Sequence, residues 1–308
     1  MNFIKKCGVL VEPQEGMSVE ELIGIALRME KLGFGYFFRS DHILPTSRRR
    51  AIDASECWVT LGALAARTKA VNFGPLVSPI GFRNPAILAR MARTVASYSG
   101  NRLQLGVGAG WFGEEFLAHG LDFPPFKVRH EQFREALEII RRFTQGERVD
   151  FDGRYFSAHL ESQPKPNEKI RMILGGRSRQ VIQKAAVYAD EWNGFSLKPE
   201  RVKDIKLSLS SEGREVEISR VSPFIIAENR RKLGEKVRAR IRKERARNGE
   251  EWYIRELRSA GWLVETQEGL CERVNQFRDV GVDKLYFQIL DPGDKESTEL
   301  VADVLRRV

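Results

Sequence analysis

Short apolar runs alternate with longer amphipathic stretches along most of the chain. Each run has the length of a buried strand, and each longer stretch carries apolar residues at the three- and four-residue spacing of a helix. Strands that alternate with helices in this way are typical of βα units on a parallel sheet. Eight strands are predicted, over residues 8–11, 36–38, 71–77, 103–107, 172–174, 192–195, 221–226 and 285–290.

Two of the predicted helices have clear boundaries. In residues 18–32, Ser18 and Glu21 have the spacing of a capping box, and Gly33 follows the last apolar position. Residues 85–98 place apolar side chains on one helix face and arginines on the opposite one. Eight strands with helices between them predict a (β/α)8 TIM barrel, and the length of 308 residues suits a single domain.

Two segments interrupt the alternation. The first, at about residues 112–168, is predicted to be an insertion with a helix around residues 133–143 and a hairpin turn at residues 150–155. The second, residues 207–218, alternates weakly, which predicts a pair of edge strands.

Residues 230–251 are dominated by charge. An RNA-binding arm would need interleaved aromatic residues, so a solvated helix face is favoured and the arm is the alternative. The basic residues of this segment are Arg238, Arg240, Arg242, Lys243, Arg245 and Arg247.

Composition narrows the class of protein. Hydrophobic residues make up 42% of the chain, and 51 basic against 42 acidic residues give a formal net charge of +9. Because the two signs are interspersed, we expect a surface that tolerates anionic ligands and no nucleic-acid partner. Three cysteines without CxxC spacing predict free thiols in a reducing compartment. No run reaches the ~20 apolar residues of a membrane span, so we expect a cytoplasmic protein with a small-molecule substrate.

An apolar alternating run passes directly into a glycine-rich turn at residues 103–111. Gly106, Gly108 and Gly110 lack the Cβ atoms that would hold a flat ligand away, and glycine permits a positive φ. The segment lacks the full dinucleotide-binding pattern, so a tight turn without a ligand is the alternative to a cofactor site.

Ligands of βα barrels bind at the carboxyl ends of the strands. Asp41 and His42 follow the second strand, and histidine can give or take a proton near neutral pH. Asp41 would orient His42 or contact a cofactor; the alternative is that Asp41 caps the next segment and His42 packs at the barrel rim. Other polar residues that follow strands are Glu12, Ser78, Asn193, Glu228, Gln288 and Asp291.

A second loop has the features of an anion site. Gly175, Gly176, Arg177 and Ser178 precede a predicted helix at residues 180–188, so free backbone N–H groups, a hydroxyl and a guanidinium meet at a helix N-terminus. A phosphate is favoured over a plain helix start. No metal is expected, because the four histidines show no paired spacing. Two of them, His130 and His159, lie in the predicted insertion and are expected on the surface.

The glycine turn, Ser40-Asp41-His42 and the loop at residues 175–178 together resemble the luciferase-like flavin and deazaflavin oxidoreductases, a family of βα barrels. The similarity covers about residues 8–195 and the last strand. It is carried by residues 56–68, 76–86, 100–111, 173–176 and 186–193.

The resemblance implies a flavin-type ring at the barrel mouth, with its phosphate near Gly176, Arg177 and Ser178. It also implies a bulge in the third strand, with a cis peptide at Leu76–Val77 against the back of the ring. Residues near the ring are then Asp41, Leu76, Val77, Ser78, Gly106, Gly108, Ala109 and Gly175. Candidates for the substrate rim are Glu12, Trp111, Glu114, Glu115 and Trp192.

Ser40-Asp41-His42 and the third-strand loop are most similar to the members that use coenzyme F420. The resemblance therefore implies a homodimeric oxidoreductase that transfers a hydride between F420 and an unidentified organic substrate, with His42 assisting the accompanying proton transfer. An FMN-dependent monooxygenase of the same family is one alternative, since reduced FMN activates dioxygen whereas the deazaflavin favours hydride transfer. A non-catalytic cofactor-binding barrel is the other.

Overall fold

The structure, a computed structural model, describes residues 2–47, 54–161, 169–244 and 249–308. The strands are β1 (Cys7–Val11), β2 (Tyr36–Arg39), β3 (Asn72–Pro75), β4 (Ser78–Pro79), β5 (Gln104–Gly108), β6 (Val149–Asp152), β7 (Ser157–Leu160), β8 (Arg171–Gly175), β9 (Glu191–Phe195), β10 (Glu217–Ala227), β11 (Leu263–Thr266) and β12 (Lys284–Ile289). The α-helices are α1 (Val19–Leu32), α2 (Cys57–Arg67), α3 (Pro85–Tyr98), α4 (Gly113–Ala118), α5 (Phe126–Thr144), α6 (Arg179–Tyr188), α7 (Pro199–Leu209), α8 (Arg230–Glu244), α9 (Glu250–Ser259), α10 (Gln267–Asp279) and α11 (Lys295–Arg307).

Parallel strands form a nearly closed barrel in the order β3-β2-β1-β12-β10-β9-β8-β5-β4. β3 and β4 are the two halves of one interrupted strand, because β3 pairs with β2 whereas β4 pairs with β5. A single bridge between Phe73 and Leu103 joins the two ends of the sheet. The predicted TIM barrel of eight strands is confirmed when β3 and β4 are counted together.

The ends of the first helix and the registers of the first strands follow from local sequence. Ser18 and Glu21 form the predicted capping box at the start of α1, and Gly33 ends the helix at a φ of 95°. β1 pairs with β2 on one side and β12 on the other, with Leu10 opposite both Phe38 and Gln288. This register brings the residues that follow β1, β2 and β12 to one end of the barrel.

Two predictions at the secondary-structure level are wrong. Residues 207–218 are not an edge-strand pair: α7 runs to Leu209, a short 3-10 turn follows, and β10 begins at Glu217. Val202, Ile205 and Leu209 are buried at helical spacing, which outweighs the weak alternation. The second error is an omission: β11 was not predicted, and it pairs in parallel with the carboxyl half of β10.

The predicted insertion contains the expected elements in the part that the structure describes. β6 and β7 form an antiparallel hairpin separate from the barrel sheet, and α5 extends beyond the predicted helix at both ends. Residues 162–168 of the insertion lie outside the described residues. In the charged segment, α8 accounts for residues 230–244, whereas Arg245 and Arg247 also lie outside the described residues. No described helix is both long and apolar enough to cross a bilayer.

A cluster of paired charges lies at the amino ends of four strands, with Lys284 and Glu191 buried and Arg171 and Glu217 partly exposed. The Lys284 ammonium is 2.7 Å from Glu191 and 2.8 Å from Glu217, and Glu191 accepts a hydrogen bond of 2.8 Å from Tyr286. Arg171 forms an ion pair with Glu217 and so belongs to the same cluster. Burial lowers the pKa of Lys284, but Glu191 and the other neighbouring charges raise it by more, so the net direction is upward. These paired charges occupy the end of the barrel opposite the carboxyl ends of the strands.

We expect Lys284→Met to lower the free energy of unfolding by about 3–5 kcal/mol, because it leaves buried carboxylates without their cation. Lys203→Met on exposed α7 is the control, with an expected change within about 0.5 kcal/mol. Urea unfolding followed by circular dichroism measures both values. Equal small changes in the two variants would show that the cluster does not stabilise the barrel.

Candidate active site

A cavity of about 1200 Å³ opens at the carboxyl ends of the barrel strands. Most of the residues singled out in the sequence lie on its walls, although they come from distant parts of the chain. The lining includes Glu12, Asp41, His42, Leu76, Val77, Gly108, Ala109, Trp111, Glu115, Gly175, Gly176, Arg177, Ser178, Asn193, Gln288 and Asp291. The residues singled out in the sequence as site candidates that are not part of this lining are Ser78, Gly106, Glu114, Trp192 and Glu228.

One wall is built from the break in the third strand. The Leu76–Val77 peptide bond is cis, as the family resemblance implied. A Cβ atom added to Gly108 would lie 2.7 Å from Val77 Cγ2, and one added to Gly175 would lie 2.9 Å from Val77 Cγ1. At Gly106 the added atom would lie 2.1 Å from the Pro75 carbonyl oxygen.

The glycines of the turn therefore have a different role from the one expected. At Gly106 and Gly108 the missing Cβ atoms leave room for the protein's own third strand, and Gly106 does not reach the cavity at all. Gly110 alone of the three has a positive φ, at 79°. The apolar wall consists of Leu76 and Val77, seated on glycine backbone.

Asp41 is buried in the cavity wall, and its carboxylate forms a hydrogen-bond network that does not include His42. Arg83 donates to both carboxylate oxygens, at 2.7 and 3.1 Å, and the Ser78 hydroxyl donates at 2.5 Å. Ser78 in turn accepts a hydrogen bond from the Trp58 indole, which explains why its hydroxyl does not face the cavity. Burial raises the pKa of Asp41, although Arg83 and Ser78 act in the opposite direction. Since both oxygens have protein partners, this network fixes the position of the segment that carries His42.

His42 forms the second network. Its Nδ1 lies 3.0 and 3.1 Å from the two carboxylate oxygens of Glu115, and Glu115 also accepts a bond from the Ile43 amide. Glu115 is 1% exposed. Glu115 was predicted only as a rim residue. Its contact with His42 joins residues 73 positions apart, and no local sequence pattern indicates such a contact.

The geometry defines which nitrogen of His42 is available. A carboxylate can only accept, so Nδ1 carries the proton toward Glu115 and Nε2 of the neutral ring is left as the acceptor. Nε2 has no hydrogen-bond partner among the described residues. Burial lowers the pKa of His42, but the hydrogen bond and charge of Glu115 outweigh it, so the pKa is raised overall. Trp111 and Phe112 lie edge-on to the ring, at centroid distances of 5.6 and 6.1 Å.

The predicted anion loop lies at the start of α6. Ser178 caps the helix by accepting a bond of 3.3 Å from the Val181 amide, and Gly176 has a φ of 144°. Arg177 is exposed, with its guanidinium 5.5 Å from the centre of the Phe195 ring. Arg177 forms no ion pair with any described residue, so its charge is available to an anionic ligand.

Trp192 was predicted at the substrate rim, and this prediction is wrong. The side chain is 1% exposed, and its indole N–H donates to the Gly176 carbonyl over 3.0 Å. Side chains alternate along a strand, so Asn193 faces the cavity while Trp192 supports the anion loop from outside the barrel.

His130 was expected on the surface, but it is 8% exposed and lines the cavity. α5 begins at Phe126, earlier than predicted, and the Phe126 ring lies 4.2 Å from the imidazole centroid. Burial lowers the pKa of His130, as do the nearby charges of Lys184 and Arg129. His159, by contrast, is exposed on the hairpin as predicted.

α8 contributes to the cavity on another side. Arg240, Lys243 and Glu244 are among the lining residues, although the charged pattern predicted only a solvated face. Arg240 packs over the Trp262 ring at 4.5 Å and pairs with Glu244. No group of three or more His, Cys, Asp or Glu side chains within the described ranges could hold a metal ion.

Comparison with known proteins places the chain among enzymes. An F420-dependent glucose-6-phosphate dehydrogenase from Intrasporangium calvum is 32% identical over 215 residues, which cover 68% of this chain and 60% of that protein. A protein of the same description from Amycolatopsis mediterranei is 32% identical over 166 residues, or 53% of this chain and 50% of that one. The chain thus spans only half to 60% of the length of these relatives.

Solved structures share the fold at lower identity. An F420-dependent secondary alcohol dehydrogenase in complex with an F420-acetone adduct has a TM-score of 0.78 and 19% identity, with 97% of both chains covered. The EDTA monooxygenase from Chelativorans sp. BNC1 has a TM-score of 0.77 and 14% identity, with 97% of this chain and 92% of that chain covered. The family model for luciferase-like monooxygenases matches residues 6–284. The resemblance predicted from the motifs is therefore confirmed, and the chain belongs to the luciferase-like monooxygenase family.

Proposed function

We propose that this protein is an oxidoreductase that transfers a hydride between coenzyme F420 and a small organic substrate. The observation that carries the proposal is the His42–Glu115 hydrogen bond, which leaves Nε2 as the unpaired nitrogen of a partly buried histidine that lines the cavity. F420 dependence in the names of two curated relatives and of a structural neighbour supports this cofactor.

The residues of the cavity fit a flavin-type cofactor. Leu76 and Val77 offer an apolar surface against which a planar ring can stack, and Gly108 leaves room for the Val77 side chain at that position. At the other end, Arg177 and Ser178 at the start of α6 would hold a phosphate. When bound, F420 supplies a ring carbon that accepts or returns a hydride.

His42 would move the proton that accompanies hydride transfer. During oxidation of an alcohol, Nε2 accepts the hydroxyl proton, and the adjacent Glu115 carboxylate stabilises the imidazolium that forms. In the reverse direction the protonated ring donates to the carbonyl oxygen. Trp111 and Phe112 limit the access of water to the imidazole from their side.

An FMN-dependent monooxygenase is the second candidate. The similarity to EDTA monooxygenase favours it, and the apolar wall and anion loop would hold either cofactor. The substrate is left unassigned, since the F420-dependent neighbours differ in theirs.

We propose further that the chain is a single domain with its insertion near residues 112–168, that it works in the cytoplasm, and that it forms a homodimer. Exposed apolar side chains on neighbouring helices support the last point, with Val59 on α2 74% exposed and Ile87 on α3 56% exposed. Light scattering on the purified protein would measure the oligomeric state.

We expect the purified protein to bind F420 more tightly than FMN when each is titrated and cofactor fluorescence is followed. Arg177→Ala should weaken binding about tenfold, because one charge-assisted contact to the phosphate is lost. Arg179→Ala, two residues along and outside the cavity lining, is the matched control and should bind as wild type does. Tight binding of FMN alone would favour the monooxygenase, and no response to either cofactor would favour a binding barrel for another ligand.

Replacing His42 with alanine should lower turnover about 100-fold or more, because the proton acceptor is removed. Propan-2-ol and glucose 6-phosphate are suitable trial substrates, with oxidised F420 as the acceptor and its absorbance as the signal. His159→Ala, which changes an exposed histidine, should keep wild-type rates. Unchanged kinetics in His42→Ala, with intact folding by circular dichroism, would exclude the proposed role.

The oxidation rate should rise with pH through the raised pKa of His42, since only the neutral ring accepts a proton. Glu115→Gln removes the carboxylate that raises this pKa, so the rise should move to lower pH. Glu114→Gln, an exposed neighbour, should leave the profile unchanged. NMR titration of the His42 imidazole measures the same shift without a substrate, and an identical midpoint in Glu115→Gln would contradict the dyad.

A further inference from the structure

A chain of hydrogen bonds runs beside the cavity and joins three of its strand ends. Gln288 Nε2 donates to Glu12 over 2.6 Å, and Gln14 Nε2 donates to the other Glu12 oxygen over 2.5 Å. The Ser40 hydroxyl donates to Gln14 Oε1 over 2.6 Å. We call these four residues the polar chain; Gln288, Glu12 and Ser40 line the cavity.

The direction of every bond in the polar chain is fixed by Glu12. A carboxylate accepts only, so both glutamine amides must turn their N–H groups toward it. Gln14 then offers its oxygen to Ser40, which completes that branch. At the other branch, Gln288 Oε1 must face away from Glu12.

Gln288 Oε1 has no partner among the described residues. The side chain is 8% exposed, and the oxygen itself is fully buried, so a carbonyl acceptor stands unpaired in the cavity wall. Buried polar groups without a partner are unusual in folded proteins, and a ligand is one explanation for such a group.

The side chain that carries the unpaired oxygen lines the same cavity as His42. Ser40 at one end of the polar chain directly precedes Asp41 and His42 in sequence, and the Glu12 charge acts on the His42 imidazole. His42 Nε2 and Gln288 Oε1 are thus acceptors without a partner among the described residues, on two side chains that line the cavity, and His42 Nε2 would take the reacting proton.

We propose that Gln288 is a specificity-determining residue that accepts a hydrogen bond from a second donor group of the substrate. The substrate class is an alcohol, or the matching carbonyl compound, that carries a further hydroxyl or N–H group. This inference rests on the proposed function for the reacting group, but binding of the second donor does not depend on F420.

A second glutamine provides a matched control. Gln104 is also buried, at 5% exposure, and its Oε1 is also unpartnered. It begins β5, at the amino end of the barrel, and does not line the cavity. A general effect of removing an unpaired buried amide would appear in both positions, whereas substrate recognition would be lost only at Gln288.

The test compares three diols with alcohols that lack only the primary hydroxyl. The pairs are propane-1,2-diol with propan-2-ol, butane-1,3-diol with butan-2-ol, and pentane-1,4-diol with pentan-2-ol. Each pair keeps the secondary alcohol and varies the distance to the second donor. Binding to the cofactor-free protein is measured by saturation-transfer NMR, and kcat/KM with F420 is measured separately.

We expect the wild type to prefer at least one diol over its partner by about 10- to 100-fold, the effect of one hydrogen bond to a buried acceptor. Gln288→Leu should abolish the preference. Gln288→Lys, which keeps a donor toward Glu12 but has no acceptor, should abolish it as well and covers the case in which the leucine variant does not fold. Gln104→Leu should keep the preference.

A wild type that prefers no diol in binding would overturn the inference, and so would a preference that survives in both Gln288 variants. Loss of the preference in Gln104→Leu would show a structural effect and would also reject the proposed role. Diol binding that depends on Gln288 in a protein that does not bind F420 would keep this inference and reject the proposed cofactor.

Discussion

The shape of the barrel mouth depends on one steric constraint, which is the packing of the Val77 side chain against glycines. Its side chain occupies the space beside Gly108 and Gly175, where an added Cβ would approach to within 2.7 and 2.9 Å. Protein interiors are close-packed, so neither partner can grow without moving the other. The interrupted third strand and the glycines of β5 and β8 therefore form one unit. This unit places the apolar surface of Leu76 and Val77 in the wall of the cavity.

Around that surface, two residues adjacent in sequence serve separate networks. Asp41 turns inward, where Arg83 and Ser78 use both of its oxygens, and His42 turns to the cavity with Glu115 behind it. The first network holds the backbone in place, and the second sets the tautomer and raises the pKa of the imidazole. A change at Asp41 would thus also act through the position of His42, because Arg83 and Ser78 hold the segment that carries both residues.

A feature of this fold or site could be predicted from the sequence when residues close together along the chain determine it. Apolar periodicity and capping are local, so the eight barrel strands and the α1 capping box followed from the sequence. β11 did not, since four residues that include Glu265 and Thr266 give too short an apolar signal. The Glu115 partner of His42 was not visible either, because tertiary contacts leave no periodic trace. At Trp192 a one-residue difference in strand register decides which side of the sheet a side chain faces.

The two ends of the barrel use charge in opposite ways. At the amino end the buried Lys284 pairs with the buried Glu191 and the partly exposed Glu217, and Tyr286 donates to Glu191, so each of these groups has a partner. At the carboxyl end His42 and Gln288 line the cavity, and each has one atom without a partner among the described residues. An unpaired buried polar atom lowers stability unless a ligand binds it, so the packed core has to offset the cost of such atoms. The barrel thus keeps its ion cluster at the amino ends of the strands and its cavity, with the residues proposed for chemistry, at the carboxyl ends.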